Sequence, residues 1–150
     1  MPHIMIVQSR YYEDVAAHLL EGTKTALEAA RCGFEIFEVA GALEIPMAIK
    51  FGSQRREGRG TEILKFDGFI ALGCVLRGET SHYDIVCGES ARGLTQLGLE
   101  QGLVIGNAIL TCETHEQAIT RSDPAQMNKG ADAVAAVLSL LEIKRKLRIV

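Results

Sequence analysis

Four short apolar runs alternate with longer stretches of helical periodicity, and nothing else in the chain restricts its fold as strongly. Ile4–Gln8, Phe34–Val39, Phe69–Leu76 and Leu103–Leu110 have the length and character of buried strands. After the first run, Val15, Leu19, Leu20, Thr23, Leu27 and Ala30 recur at three- and four-residue steps, which makes one face of a helix, with Gly33 as its C′ stop. Pro46 suits the first turn of a helix running to about Phe51. A third helix spans about His82 to Glu100, with Ile85, Val86, Leu94 and Leu97 inward and Gly102 as its stop. Thr114 with Gln117 forms a capping box for a short helix ending near Arg121. Asp123-Pro124 breaks the chain, and a last helix runs from about Ala131 to Lys146 with Val134, Val137, Leu138 and Leu141 on one face. Strands and helices in this alternation form an α/β fold: a parallel sheet covered on both faces, with right-handed crossovers.

The 150 residues and 16.3 kDa suit one domain, 1–150, with one core. Apolar residues make up 47% and mean hydropathy is +0.12, too apolar for a disordered chain and more apolar than a small lone domain needs. That excess requires an outlet. Aromatics are 5% without Trp, which argues against a base-stacking surface. The net charge of −3 offers no basic stripe for nucleic acid or an anionic membrane. Arg55, Arg56 and Arg59 read as a solvated loop; Lys144, Arg145, Lys146 and Arg148 read as a helix C-terminus. No apolar stretch approaches the roughly 18 residues of a membrane span. The first strand follows the N-terminus without a basic n-region and apolar h-region, so no signal peptide is expected. Cys32, Cys74, Cys87 and Cys112 form no C-x-x-C pair. That argues against a structural zinc and points to free thiols in a reducing cytoplasm.

Ligands of such sheets sit at the carboxyl ends of the strands. The segments there are Ser9–Tyr12, Gly41–Pro46, Cys74–His82 and Asn107–Glu113. Gly73 through Thr80 nearly matches a P-loop, but Glu79 stands where the lysine must be, so a nucleoside triphosphate is disfavoured. Backbone N–H groups at Glu79 and Thr80, before a helix, can still hold a smaller phosphate; the alternative is an ordinary strand-to-helix turn. His82, two residues past Thr80 and near Arg77, is placed for proton transfer near neutral pH. His3, His18 and His115 read as surface or helix residues. Small residues at Gly41-Ala42 let a planar ligand approach the backbone. Glu44 either accepts hydrogen bonds from that ligand or complements a helix dipole. Arg121 and Lys129 can grip an anion, or serve as a helix C-terminal cation and part of a solvated turn. Gly58-Arg59-Gly60 follows no strand, so a dinucleotide fingerprint is missing. No G-x-S-x-G elbow occurs, and Cys74 reads as packing rather than as a nucleophile.

Ser9-Arg10-Tyr11, Gly41-Ala42-Leu43-Glu44-Ile45-Pro46, Gly73 through Asp84, Glu116-Gln117-Ala118 with Arg121, and Asn128-Lys129-Gly130 together resemble the lumazine synthase family in order and spacing. The resemblance covers essentially the whole chain. It implies a three-layer α/β/α sandwich around a four-stranded parallel sheet, flavodoxin-like. It also implies an enzyme of riboflavin synthesis that uses no metal or redox cofactor. The implied substrates are 5-amino-6-(D-ribitylamino)uracil and 3,4-dihydroxy-2-butanone 4-phosphate. By the same resemblance, Tyr11 matches an aromatic stacking on the pyrimidine, and Ala42, Leu43 and Glu44 border the pyrimidine and ribityl chain. Cys74, Val75 and Leu76 match the strand end that reads the pyrimidine through its backbone. Glu79 and Thr80 match phosphate contacts, His82 the proton-transfer residue, and Arg121 and Lys129 the phosphate-side cations. Asn107, Arg121 and Lys129 would come from the neighbouring subunit.

Two positions depart from the family pattern: Asn107 replaces a usual aromatic, and Ala40 a usual Pro. The loop Ser122–Met127 lacks a Gly-rich sequence, and the chain begins close to its first strand. Both favour a homopentamer over a sixty-subunit shell. Asn107 keeps a second class open, a module that binds a lumazine or flavin without turnover. A flavodoxin-type electron carrier would need a Ser/Thr-rich loop, of which Ser9-Arg10-Tyr11-Tyr12 is a poor version.

Overall fold

The computed structural model describes residues 1–56 and 65–149. The Gly58-Arg59-Gly60 stretch and the residues around it lie outside those. In chain order the elements are β1 (His3–Ser9), α1 (Glu13–Ala29), β2 (Gly33–Val39), a 3-10 turn (Ala42–Glu44) and α2 (Ile45–Ser53). Then follow β3 (Gly68–Leu76), α3 (His82–Gln101), β4 (Ile105–Cys112), α4 (His115–Ser122) and α5 (Lys129–Leu147). The four strands are parallel in the order β2-β1-β3-β4, so β2 and β4 are the edges.

Alternate residues of one strand feed two different cores. Ile4 and Ile6 of β1, with Ile70 and Leu72 of β3, pack against Val15 and Leu19 of α1, Ala118 of α4, and Val134 and Val137 of α5. Met5, Val7, Phe69 and Ala71 point the other way, onto Ile45 and Ile49 of α2 and Leu94 of α3. A strand covered on both sides has no polar face, which is why these runs read as continuously apolar. The molecule is therefore a three-layer α/β/α sandwich, with α1, α4 and α5 on one face and α2 and α3 on the other.

Several boundaries differ from the sequence expectation. The stop of α1 is Arg31 at φ 58°, not Gly33, which instead opens β2. Arg31 N–H bonds the Glu28 carbonyl at 3.0 Å and Cys32 N–H the Leu27 carbonyl at 2.9 Å, the paired bonds of a Schellman end. Gly102 does end α3, at φ 66°. Strand β4 is displaced two residues, to Cys112, because its pairing follows β3 to the Leu76↔Cys112 step. Ile85 is 54% exposed rather than inward, while Val86 and Leu94 are buried. Helix α5 starts at Lys129, two residues early, directly after Asn128 at φ 50°.

Candidate functional site

A cleft of about 370 Å³ opens at the carboxyl ends of β1, β2 and β3, beside the start of α3. Its floor is the end of β3, Cys74, Val75 and Leu76. One wall is Gly41–Glu44, and the other is Ser9, Tyr11 and Tyr12. His82 and Val86, one turn apart on α3, complete the lining.

Each side is placed by local chemistry. Tyr11 is 77% exposed and meets Tyr12 edge-on, with ring centroids 4.9 Å apart. An exposed aromatic at a cleft offers a free face for stacking. Burial, with Cys74 and Tyr11 nearby, pushes the Tyr12 phenol up, so it stays protonated at neutral pH. Glu44 makes no side-chain cap to α2, so its carboxylate is not used in capping that helix and lies in the cleft wall. The Cys74 thiol is pushed up to about 12, first by burial and then by Cys112, Asp14 and Cys87. A thiol that stays neutral is a poor nucleophile. Among the described residues no group of three or more His, Cys, Asp or Glu could hold a metal ion. None of their helices is long and apolar enough to cross a membrane.

The turn between β3 and α3 is open to solvent. Gly78, Glu79, Thr80, Ser81 and His82 are exposed, and Ser81 gives α3 no side-chain cap. Thr80 Oγ accepts the His82 N–H at 3.3 Å. Arg77 is engaged elsewhere: its Nε donates to Glu113 at 2.7 Å, and its guanidinium lies 4.3 Å from the centre of the Tyr83 ring.

Eight of the residues singled out from sequence line this cleft: Tyr11, Ala42, Leu43, Glu44, Cys74, Val75, Leu76 and His82. Glu79 and Thr80 adjoin it in the turn without lining it. Asn107, Arg121 and Lys129 stand elsewhere in the chain. Asn107 is exposed on β4, where its Oδ1 accepts the Ile109 N–H at 2.8 Å. It borders a separate groove with Leu94, Leu99, Ile105 and Leu140. Arg121 donates to the Gln117 carbonyl at 3.1 Å, and Lys129 pairs with Asp132 at 3.2 Å. The sequence placed Tyr12 in a strand-end segment and Val86 on the inward face of a helix, and gave neither a contact with the ligand. The signal for Tyr12 was the aromatic doublet; for Val86 it was the four-residue step from His82 along one helix face.

A family model described as 6,7-dimethyl-8-ribityllumazine synthase matches residues 2–145. A curated 6,7-dimethyl-8-ribityllumazine synthase of Agrobacterium fabrum is 48% identical over 146 residues, covering 97% of each chain. One of Methylorubrum populi is 50% identical over 142 residues, covering 95% of this chain and 82% of the relative. The 6,7-dimethyl-8-ribityllumazine synthase 1 of Rhizobium meliloti is 46% identical over 145 residues, covering 97% and 93%.

Proposed function

The chain belongs to the 6,7-dimethyl-8-ribityllumazine synthase family, and from that premise we propose that its strand-end cleft condenses 5-amino-6-(D-ribitylamino)uracil with 3,4-dihydroxy-2-butanone 4-phosphate. The amine attacks the ketone to give an imine with loss of water. Phosphate is eliminated, and the ring closes with loss of a second water.

The observation that carries this reading is the make-up of one cleft: an exposed tyrosine, a small-residue turn, a strand-end backbone and a histidine. Tyr11 stacks on the pyrimidine, while the backbone of Cys74–Leu76 reads its edge. Glu44 accepts hydrogen bonds from the polar substrate that enters beside it. His82 moves the protons of imine formation and phosphate loss. The N–H groups of Glu79 and Thr80, just before the start of α3, hold the phosphate as charge develops on it. Most of the acceleration comes from holding two substrates in register.

Asn107, Arg121 and Lys129 serve the cleft of an adjacent subunit in a homopentameric ring. Two exposed apolar regions at opposite sheet edges support this. Phe37 and Phe51 line a groove beside β2, and Leu99 and Leu140 line one beside β4. Different surfaces that meet head to tail close into a ring. Four unpaired thiols suit a cytoplasmic setting.

The test is to mix both substrates with the protein and follow lumazine absorbance. Formation of the product at enzymatic rates is expected. Tight lumazine binding without formation would instead make the chain a binding module.

A further inference from the structure

We propose that Arg77 is a positioning residue, a staple across the turn that presents His82 and the phosphate-holding N–H groups. The inference rests on the reading of that turn as the phosphate site.

The turn of residues 78–82 has little else to hold it. All five are exposed, and a Cβ on Gly78 would meet nothing within 4 Å. Its bonds are few: Thr80 Oγ accepts the His82 N–H, and the Ser81 carbonyl accepts the Asp84 N–H at 3.0 Å and the Ile85 N–H at 3.3 Å. Turns with so few buried contacts open at low free-energy cost.

Arg77 touches both ends of this turn at once. It precedes the turn, and its Nη1 stands 3.5 Å from Asp84 while its guanidinium stacks 4.3 Å from the Tyr83 ring centre. Both partners follow His82 directly in sequence. Its Nε then ties the stapled turn to the next strand end, donating to Glu113 at 2.7 Å. Its backbone N–H bonds the Cys112 carbonyl at 3.0 Å and carries the sheet pairing one step further. The planar fork of an arginine can hold two carboxylates and a ring together; the point charge of a lysine cannot. With Nε on Glu113 and Nη1 turned to Asp84, Arg77 acts on phosphate through the turn and not by contact.

The variants Glu113→Gln and Arg77→Lys separate these roles, because the Glu113 side chain is half exposed and its amide keeps a similar shape. Inorganic phosphate binding is measured by calorimetry, and Michaelis constants are measured for each substrate. If Arg77 is a staple, both variants weaken phosphate binding and raise the Michaelis constant of the phosphate substrate about three- to tenfold. The Michaelis constant of the pyrimidine stays unchanged. Glu113→Gln that tightens phosphate would overturn the proposal, since a freed Arg77 would then be an anion ligand itself. Unchanged phosphate binding, or equal rises for both substrates, would overturn it too. A wild-type protein that forms no lumazine refutes the reading of the cleft, while its phosphate affinity against that of Glu113→Gln still decides the staple.

Discussion

His82 and Cys74 line the same cleft and face opposite predictions. His82→Ala should lower the turnover number by about a hundredfold, the usual worth of a positioned acid–base group, with Michaelis constants little changed. Steady-state kinetics checks it, and a wild-type rate would remove His82 from the chemistry. Cys74 should be chemically quiet, its thiol held at about 12 by burial against an ordinary value of 9.0. The sign for stability follows. Above pH 9 the unfolded chain loses this proton and the folded chain keeps it, so stability falls with rising pH. Cys32, Cys87 and Cys112 are also raised by burial and act in the same direction. Urea midpoints measured from about pH 8.5 to 10.5 should fall less steeply for Cys74→Ala than for wild type. At this scale the sequence was informative where residue type carries the chemistry. The Glu79 that breaks the P-loop and the lone His82 after it were both visible in one segment. The engagement of Arg77 was not, because Glu113 lies 36 positions away and meets it only when β3 and β4 pair.

Helix α4 shows local signals and tertiary contacts acting together. The Thr114–Gln117 capping box is formed: Thr114 Oγ accepts the Gln117 N–H at 3.2 Å, and Gln117 Oε1 accepts the Thr114 N–H at 3.3 Å. The same Oε1 accepts the Glu113 N–H at 2.9 Å, and the Gln117 carbonyl accepts the Arg121 guanidinium. Gln117→Ala should therefore cost about 1 kcal/mol in chemical denaturation, the usual worth of a cap. A capping box is legible because all its atoms lie within four residues. The approach of β4 to α5 was not legible. A Cβ on Gly106 would collide with the Ala133 carbonyl, and nothing near Gly106 in sequence announces that contact. Gly106→Ala should destabilise by about 1–3 kcal/mol, the range of core overpacking, and a melting curve checks it. Gly33 shows the reverse error: a glycine beside a helix end suggested the stop, yet Arg31 took the left-handed position and β2 claimed the glycine for pairing.

The apolar excess of the whole chain finds its place on the surface. Phe51 is 69% exposed on the β2 side and Leu99 83% on the β4 side, opposite edges of one sheet. Asn107 stands on the β4 side, and neither it nor Arg121 nor Lys129 reaches into the chain's own cleft. Sequence order alone could not separate these residues from the cleft: Asn107 lies in the first half of β4, Arg121 in α4 and Lys129 at the start of α5, and position along the chain says nothing about which site a side chain serves. A ring built head to tail makes a definite prediction. His82→Ala subunits and Arg121→Ala subunits are each nearly inactive alone. When they are unfolded together, refolded and mixed in equal amounts, a site is intact wherever the cleft comes from an Arg121→Ala chain and the arginine from a His82→Ala neighbour. Random assembly makes this about one site in four, so about a quarter of wild-type activity should return. If each chain completed its own site, every site would carry one lesion and mixing would restore nothing. Sedimentation of the mixture, run beside the assay, shows whether the recovered activity travels with the ring, and Phe51→Glu should abolish both together.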